Sequence, residues 1–168
     1  MKINESDLEA LLALHESINE ELKKRKLINS KNNIVADYSE YLVCKALHLV
    51  PATGSNKGFD AKDNIGNKYE VKGRRPTKSN KSVQLGALRD LKSKHFNFLV
   101  CVIFENSYKV HSCYLIPHSV VVYYAKHRSH TNSERFIFNE LVRQHKGVRD
   151  ITARIKIEEA KANKIRAD

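Results

Sequence analysis

Tryptophan is absent from this chain, and methionine occurs once in 168 residues. Three prolines and six glycines are all that punctuate it, and no internal repeat or low-complexity linker is present. A disordered chain is excluded, since 41% of the residues are hydrophobic and seven Tyr and six Phe are available for a core. Cysteine is scarce and odd in number. Cys44, Cys101 and Cys113 lie in apolar surroundings, so they read as buried free thiols and not as a disulfide or metal site. No run of about 18 apolar residues exists, which excludes a transmembrane helix. The opening Met1-Lys2-Ile3-Asn4-Glu5-Ser6 is polar and carries no apolar signal core. The expectation is a cytoplasmic protein with no membrane partner, folded as a single domain over residues 1–168.

Acidic residues are the remaining shortage. Nineteen Asp and Glu face thirty Lys and Arg, giving a net charge of +11 and a pI near 9.6. The excess is concentrated. Residues 68–94 hold nine basic side chains (Lys68, Lys72, Arg74, Arg75, Lys78, Lys81, Arg89, Lys92, Lys94) against Glu70 and Asp90, which is seven of the eleven net charges. A polyanion partner follows, most simply nucleic acid.

Periodicity orders the elements. Ser6-Asp7-Leu8-Glu9 has the form of a capping box, with Ser6 as N-cap. Leu8, Leu11, Leu12, His15, Ile18 and Leu22 then recur at helical spacing to about Lys26, within an N-terminal helical segment 1–28. A second helix is predicted from Asn33 to His48, apolar over much of its girth, with Glu40 among its apolar residues. A carboxylate half-buried there needs a cation or hydrogen-bond donors. Phe98 to Phe104 is an almost continuous apolar run and suits a central strand covered on both faces. A strand from Tyr108 to Ile116, a helix opened by Pro117 and a short strand around Phe136-Ile137-Phe138 follow. Asp150 is placed to cap a last helix in 151–168, frayed at its end. The order describes an α/β domain with a mixed central β-sheet flanked by helices.

The chemistry-bearing stretch lies between the second helix and the central strand. Gly58-Phe59-Asp60 is followed, ten residues after the Asp, by Glu70-Val71-Lys72. Alternation puts Glu70, Lys72 and Arg74 on one face of a strand. A three-residue loop Asn64-Ile65-Gly66, with Gly66 in the left-handed conformation, pairs Asp63 with Asn67 and sets Asp60 opposite Glu70. A two-residue loop would turn Asp60 away, and the position of Gly66 favours the first register. Two carboxylates and a lysine so gathered are what metal-assisted phosphodiester cleavage needs, the acids for a hard cation and the lysine for the attacking water. Asp63 itself reads as a solvated turn residue. Arg74 and Arg75 are assigned to clamping neighbouring phosphates, since a guanidinium matches phosphate in a fork. Lys78 and Lys81 extend the basic segment, and Gln84 follows it, facing the site. His127-x-x-His130 lacks a second ligand pair at recognisable spacing and is a weak zinc signal.

These residues resemble the PD-(D/E)xK phosphodiesterase superfamily, the restriction-endonuclease-like fold. The matching pieces are Asp60 ending its G-F-D element, Glu70-x-Lys72 on the next strand and Glu40 on a preceding helix. The chain also looks like a small bacterial family of uncharacterised nuclease-like proteins, through Q-L-G-A-L-R-D-L at 84–91, I-P-H at 116–118 and V-R-D-I-T at 148–152. Phe59, where many members of the superfamily carry proline, is a departure. The resemblance implies a restriction-endonuclease-like core, with Asp60, Glu70 and the Val71 carbonyl as metal ligands. It further implies Lys72 as the catalytic lysine, Glu40 as an auxiliary acid, and Mg²⁺ as cofactor with Mn²⁺ able to substitute.

The expected function is a metal-dependent endonuclease acting on DNA, of restriction or repair type. Two other readings remain open: a non-catalytic nucleic-acid-binding module with a nuclease-like fold, and a ribonuclease. A homodimer is the expected assembly for an enzyme that must address both strands of a duplex.

Overall fold

Phe98 to Phe104 does form the strand at the middle of the sheet, and six of its seven residues are buried. The computed structural model describes residues 3–5, 7–30, 33–52 and 58–165. In chain order these give α1 (Leu8–Lys24), α2 (Ile34–Leu47), β1 (Val50–Pro51), β2 (Ala61–Lys62), β3 (Lys68–Arg74), β4 (Phe98–Phe104) and β5 (Val110–Pro117). After them come α3 (His118–Tyr124), β6 (Lys126–Arg128), β7 (Ser133–Arg135), α4 (Glu140–Arg143), β8 (Arg149–Asp150) and α5 (Thr152–Ala162). The protein is thus an α/β protein, with a six-stranded mixed sheet and five helices among the described residues. The sheet runs β1-β2-β3-β4-β5-β8, and β6 and β7 form a separate two-stranded ribbon. Only β3 and β4 are parallel; the other neighbours are antiparallel. Among the described residues no helix is long and apolar enough to cross a membrane.

The sheet separates two apolar layers, and strand alternation decides which side chain enters which. Val71, Val100 and Val102 point into the layer of Leu42, Val43 and Ile155, contributed by α2 and α5. Leu99, Cys101 and Ile103 point the other way, toward Leu85, Leu88, Val121, Phe136 and Val142. In the β3–β4 register Glu70 stands beside Leu99 and Lys72 beside Cys101. The charged face of β3 therefore belongs to the second layer, opposite α2.

Several elements depart from what periodicity predicts. The N-cap of α1 is Asp7, whose carboxylate accepts the Ala10 N–H at 2.8 Å; Ser6 lies outside the described residues. The α1 leucines do not form core, since Leu8 is 69% and Leu12 59% exposed and Asn19 is the only buried residue of the helix. Periodicity shows that an apolar face exists but not that anything covers it. Tyr108 sits in a left-handed turn (φ 65°), so β5 begins two residues after it. Phe136 and Phe138 are core, but residues 136–138 form no strand. Ile137 makes only an isolated bridge to Gln84, while the ladder forms just upstream, where Ser133–Arg135 meets Lys126–Arg128. Asp150 lies in β8 and still serves α5, accepting the Thr152 N–H at 2.8 Å. The three cysteines are free, Cys101 and Cys113 buried and Cys44 half-buried.

Helix α2 is where expectation and structure agree most closely. Asn33 caps it, accepting the Ala36 N–H at 3.1 Å, and His48 ends it in the left-handed conformation. The helix lies on β3 at backbone distance. A Cβ on Gly73 would collide with Ser39 Oγ and stand 2.8 Å from the Val35 carbonyl, to which Ser39 Oγ–H donates. Gly73→Ala is expected to lift α2 off the sheet, costing roughly 1–3 kcal/mol by overpacking. Urea unfolding midpoints measure it, and an unchanged midpoint would mean that the helix is not seated on Gly73.

Candidate active site

The hairpin before β3 adopts the register with a three-residue loop. Ala61 pairs with Tyr69 and Lys62 with Lys68, and the Asp63 N–H donates to the Asn67 carbonyl at 3.0 Å. Gly66 supplies the left-handed turn at φ 90°. Asp63 is not merely solvated, as its position suggests, but organises the loop. Its carboxylate accepts from the Asn67 N–H (2.8 Å), the Asn67 side-chain amide (2.8 Å) and the Tyr69 hydroxyl (3.0 Å).

This register carries Asp60 to β3 and holds it there. Its own N–H donates to the Tyr69 carbonyl at 2.8 Å, and its Oδ2 accepts the Val71 N–H at 2.7 Å. Asp60 thus sits astride Glu70. The same bonds orient Val71. In a strand the N–H and C=O of one residue point to the same edge, so the Val71 carbonyl also faces Asp60. Asn97 pins the opposite edge: its Oδ1 accepts the Lys68 N–H and its N–H donates to the Lys68 carbonyl, both at 2.8 Å. Nothing in sequence spacing singles out Asn97, because its role depends on β4 lying beside β3.

Glu70 and Lys72 form an ion pair on the β3 face, their side chains 12% and 25% exposed. Burial pushes the Glu70 pKa up; Lys72 opposes this and Asp60 adds to it, and the net direction is upward. Burial pulls the Lys72 pKa down, but Glu70, Asp60 and Glu40 outweigh it and hold the ammonium above its ordinary range. Lys72 therefore stands as a cation, suited to donating hydrogen bonds and stabilising negative charge rather than to removing a proton. Glu40, on α2 in the other layer, lies within electrostatic reach of Asp60, Glu70 and Lys72. Burial first, then the charges of Asp60 and Asp37 against the pull of Lys72, push it from 4.5 up to about 7. Burial, followed by Glu40 and Asp60, pushes the neighbouring Cys44 thiol up to about 11, so it stays protonated.

The basic residues divide. Arg74 Nε donates to the Ser82 carbonyl at 2.9 Å and closes the loop that follows β3. Arg75 turns away from the carboxylates: its guanidinium donates to the Asn106 carbonyl (2.8 Å) and stacks 4.3 Å over the Tyr108 ring. It holds the β4–β5 turn, so it is not paired with Arg74 as a phosphate clamp. Lys78 and Lys81 are exposed on the loop. Gln84 bridges to Ile137 two residues before Gly86, where a Cβ would lie 3.8 Å from Lys72 Cδ. His118 is buried and donates from Nε2 to the Leu91 carbonyl at 2.9 Å, a structural role. An apolar cavity of about 740 Å³ between α1, α5 and the β4–β5 turn includes none of the site residues.

Among the described residues no three His, Cys, Asp or Glu side chains gather as a ready metal cage. The oxygens that would face a cation here are those of Asp60, Glu70 and the Val71 carbonyl, all hard donors. Such a set fits Mg²⁺, which keeps several waters and is commonly held by one or two carboxylates with substrate phosphate. Matching the chain against protein-family models gives no match, and matching it against curated proteins gives none at a significant level.

The electrostatics of Glu40 set a pH dependence. A carboxyl whose pKa is higher folded than unfolded stabilises the fold fully below its unfolded value and loses that contribution as pH rises through the folded one. Stability is therefore expected to fall between pH 4.5 and about 7 through Glu40. Glu40→Gln should flatten that fall in urea midpoints, and an undiminished fall in the variant would remove Glu40 as its source.

Proposed function

We propose that the protein is a metal-dependent nuclease that hydrolyses phosphodiester bonds of DNA, an endonuclease of restriction or repair type built on a restriction-endonuclease-like core. The observation that carries the reading is the hydrogen bond from the Val71 N–H to Asp60 Oδ2. It sets one carboxylate against the strand edge that carries the Val71 carbonyl, on a strand whose face offers a second carboxylate and a lysine. The reading is also supported by Glu40, Asp60, Glu70 and Lys72, from a helix, a loop and a strand, lying within electrostatic reach of one another. Net positive charge in the connection after β3 supports a polyanionic substrate.

Asp60, Glu70 and the Val71 carbonyl would hold Mg²⁺ or Mn²⁺, which supplies Lewis-acid polarisation of a phosphoryl oxygen and a bound water of lowered pKa. Lys72, held cationic by the surrounding carboxylates, donates to the attacking oxygen or to the phosphate as charge builds on it. Glu40, titrating near neutral pH, accepts a proton from the water side. Arg74, Lys78 and Lys81 meet flanking phosphates, with Gln84 at the border of the site.

Plasmid DNA incubated with Mg²⁺ and wild-type protein, Glu70→Gln or Lys72→Ala tests this. The wild type should nick or linearise the plasmid, and each variant should lose at least roughly a hundredfold in rate, the scale of removing one transition-state contact. Equal DNA loss in all three would falsify the site. Wild-type protein that binds DNA yet cleaves neither DNA nor RNA would identify a binding module, and cleavage of RNA alone would identify a ribonuclease.

A further inference from the structure

The β6–β7 ribbon has a charge arrangement that folding alone does not favour. Lys126 pairs directly with Arg135, and Arg128 with Ser133, while His127 pairs with Glu134. Alternation therefore puts Lys126, Arg128 and Arg135 on one face and the His127–Glu134 pair on the other. Like charges directly opposite each other weaken a ribbon. On the opposite face His127 Nδ1 lies 3.4 Å from Glu134 Oε1, and Asp90 shares the cleft beyond with Arg89 and Lys92. Lys126, Arg128 and Arg135 have no ion-pair partner among the described residues, although Arg25, Arg143 and Lys161 each have one. Lys126 and Arg128 are exposed and Arg135 is half-buried.

The ribbon is also joined rigidly to the candidate site. The Leu88 N–H donates to the Glu134 carbonyl at 3.1 Å and the Glu134 N–H returns a bond to Leu88 at 2.7 Å. The Leu85 N–H donates to the Phe136 carbonyl at 3.0 Å, and the Phe138 N–H to Val83 at 3.2 Å. Leu85, Leu88, Phe136 and Phe138 are all buried in the layer faced by Glu70 and Lys72. The segment between the site and the ribbon is the one whose Gly86 lies against Lys72.

We propose that the cationic face of the β6–β7 ribbon, made by Lys126, Arg128 and Arg135, is a binding site for the phosphate backbone of duplex nucleic acid. The proposal rests on the nucleic-acid reading above but not on catalysis. Unpaired cations on a two-stranded ribbon match a row of phosphates, and hydrogen bonds to residues 83–88 tie that ribbon to the connection that follows β3.

The test is fluorescence anisotropy of labelled 30-base-pair duplexes, DNA and RNA of the same sequence, titrated with Glu70→Gln protein in EDTA so that no cleavage occurs. The triple variant Lys126→Ala/Arg128→Ala/Arg135→Ala is compared with Lys109→Ala/Lys156→Ala/Lys164→Ala, which loses the same charge elsewhere. The ribbon variant should bind at least about tenfold more weakly, and the slope of log affinity against log salt should fall by about 0.9 per lost contact. The control should keep its slope, and Arg128→Ala alone should lower the slope by about 0.9. Removing like charges should leave the melting temperature of the ribbon variant no lower than the parent's. The duplex whose binding responds names the substrate. Equal affinity and slope in the ribbon variant and its parent overturn the ribbon site and leave the cleavage test untouched. A parent that binds neither duplex at low salt overturns both this site and the nucleic-acid reading.

Discussion

In the parallel pairing of β3 with β4, Val71 stands beside Val100 and Lys72 beside Cys101, and most of the candidate site follows from that register. A parallel neighbour buried on both faces gives β3 one edge and one face that solvent cannot reach freely. Glu70 and Lys72 must then share a face with Leu99, Cys101 and Ile103, and they satisfy each other there as an ion pair. Among the described residues no strand pairs with the opposite edge of β3 beyond Tyr69, because β2 is only two residues long. Asp60 fills part of that gap with its side chain, taking the Val71 N–H that a longer strand would have taken with a carbonyl. A structural shortage of backbone partners is what puts a carboxylate at the edge.

Three carboxylates around one ammonium leave excess negative charge in a half-buried place. Asp60, Glu70 and Glu40 each raise the Lys72 pKa, and burial together with the neighbouring charges pushes Glu40 up to about 7. A cation among these oxygens would relieve the same repulsion. The pattern matches the general observation that strongly shifted groups gather where chemistry is done, although ion-pair networks can shift pKa values as well. Close packing of α2 on Gly73 is what brings Glu40 within electrostatic reach, so the apolar layer and the charged cluster are not independent.

The positive charge of the chain divides by what holds it. Arg74 and Arg75 are tied to carbonyl groups and order the turns around them. Lys78 and Lys81 lie on an exposed loop, and Lys126, Arg128 and Arg135 line one face of a ribbon without acidic partners. Cations placed without partners weaken a fold slightly and are retained more readily where an anion completes them. Both unpaired groups lie in or beside the connection that crosses the Glu70–Lys72 face.

The local elements are legible in the sequence. Period-two alternation put Glu70, Lys72 and Arg74 together, Gly66 chose the hairpin register, and Asn33 and His48 bounded α2, because each depends on neighbours a few residues away. Contacts between distant segments were not. Arg75 lies one residue past the end of β3, where alternation no longer governs direction, and Tyr108 captured it. The leucine stripe of α1 revealed an apolar face but not its exposure, since a helix carries no record of what packs against it. The β6–β7 ribbon escaped notice because neither three-residue strand has a pattern of its own. The sequence by itself determined which residues could meet across a turn or along one strand. Only the tertiary structure decided that Glu40 joins them, that Asp60 bonds Val71, and that a cationic ribbon lies beside them, because those meetings depend on how layers pack and not on spacing along the chain.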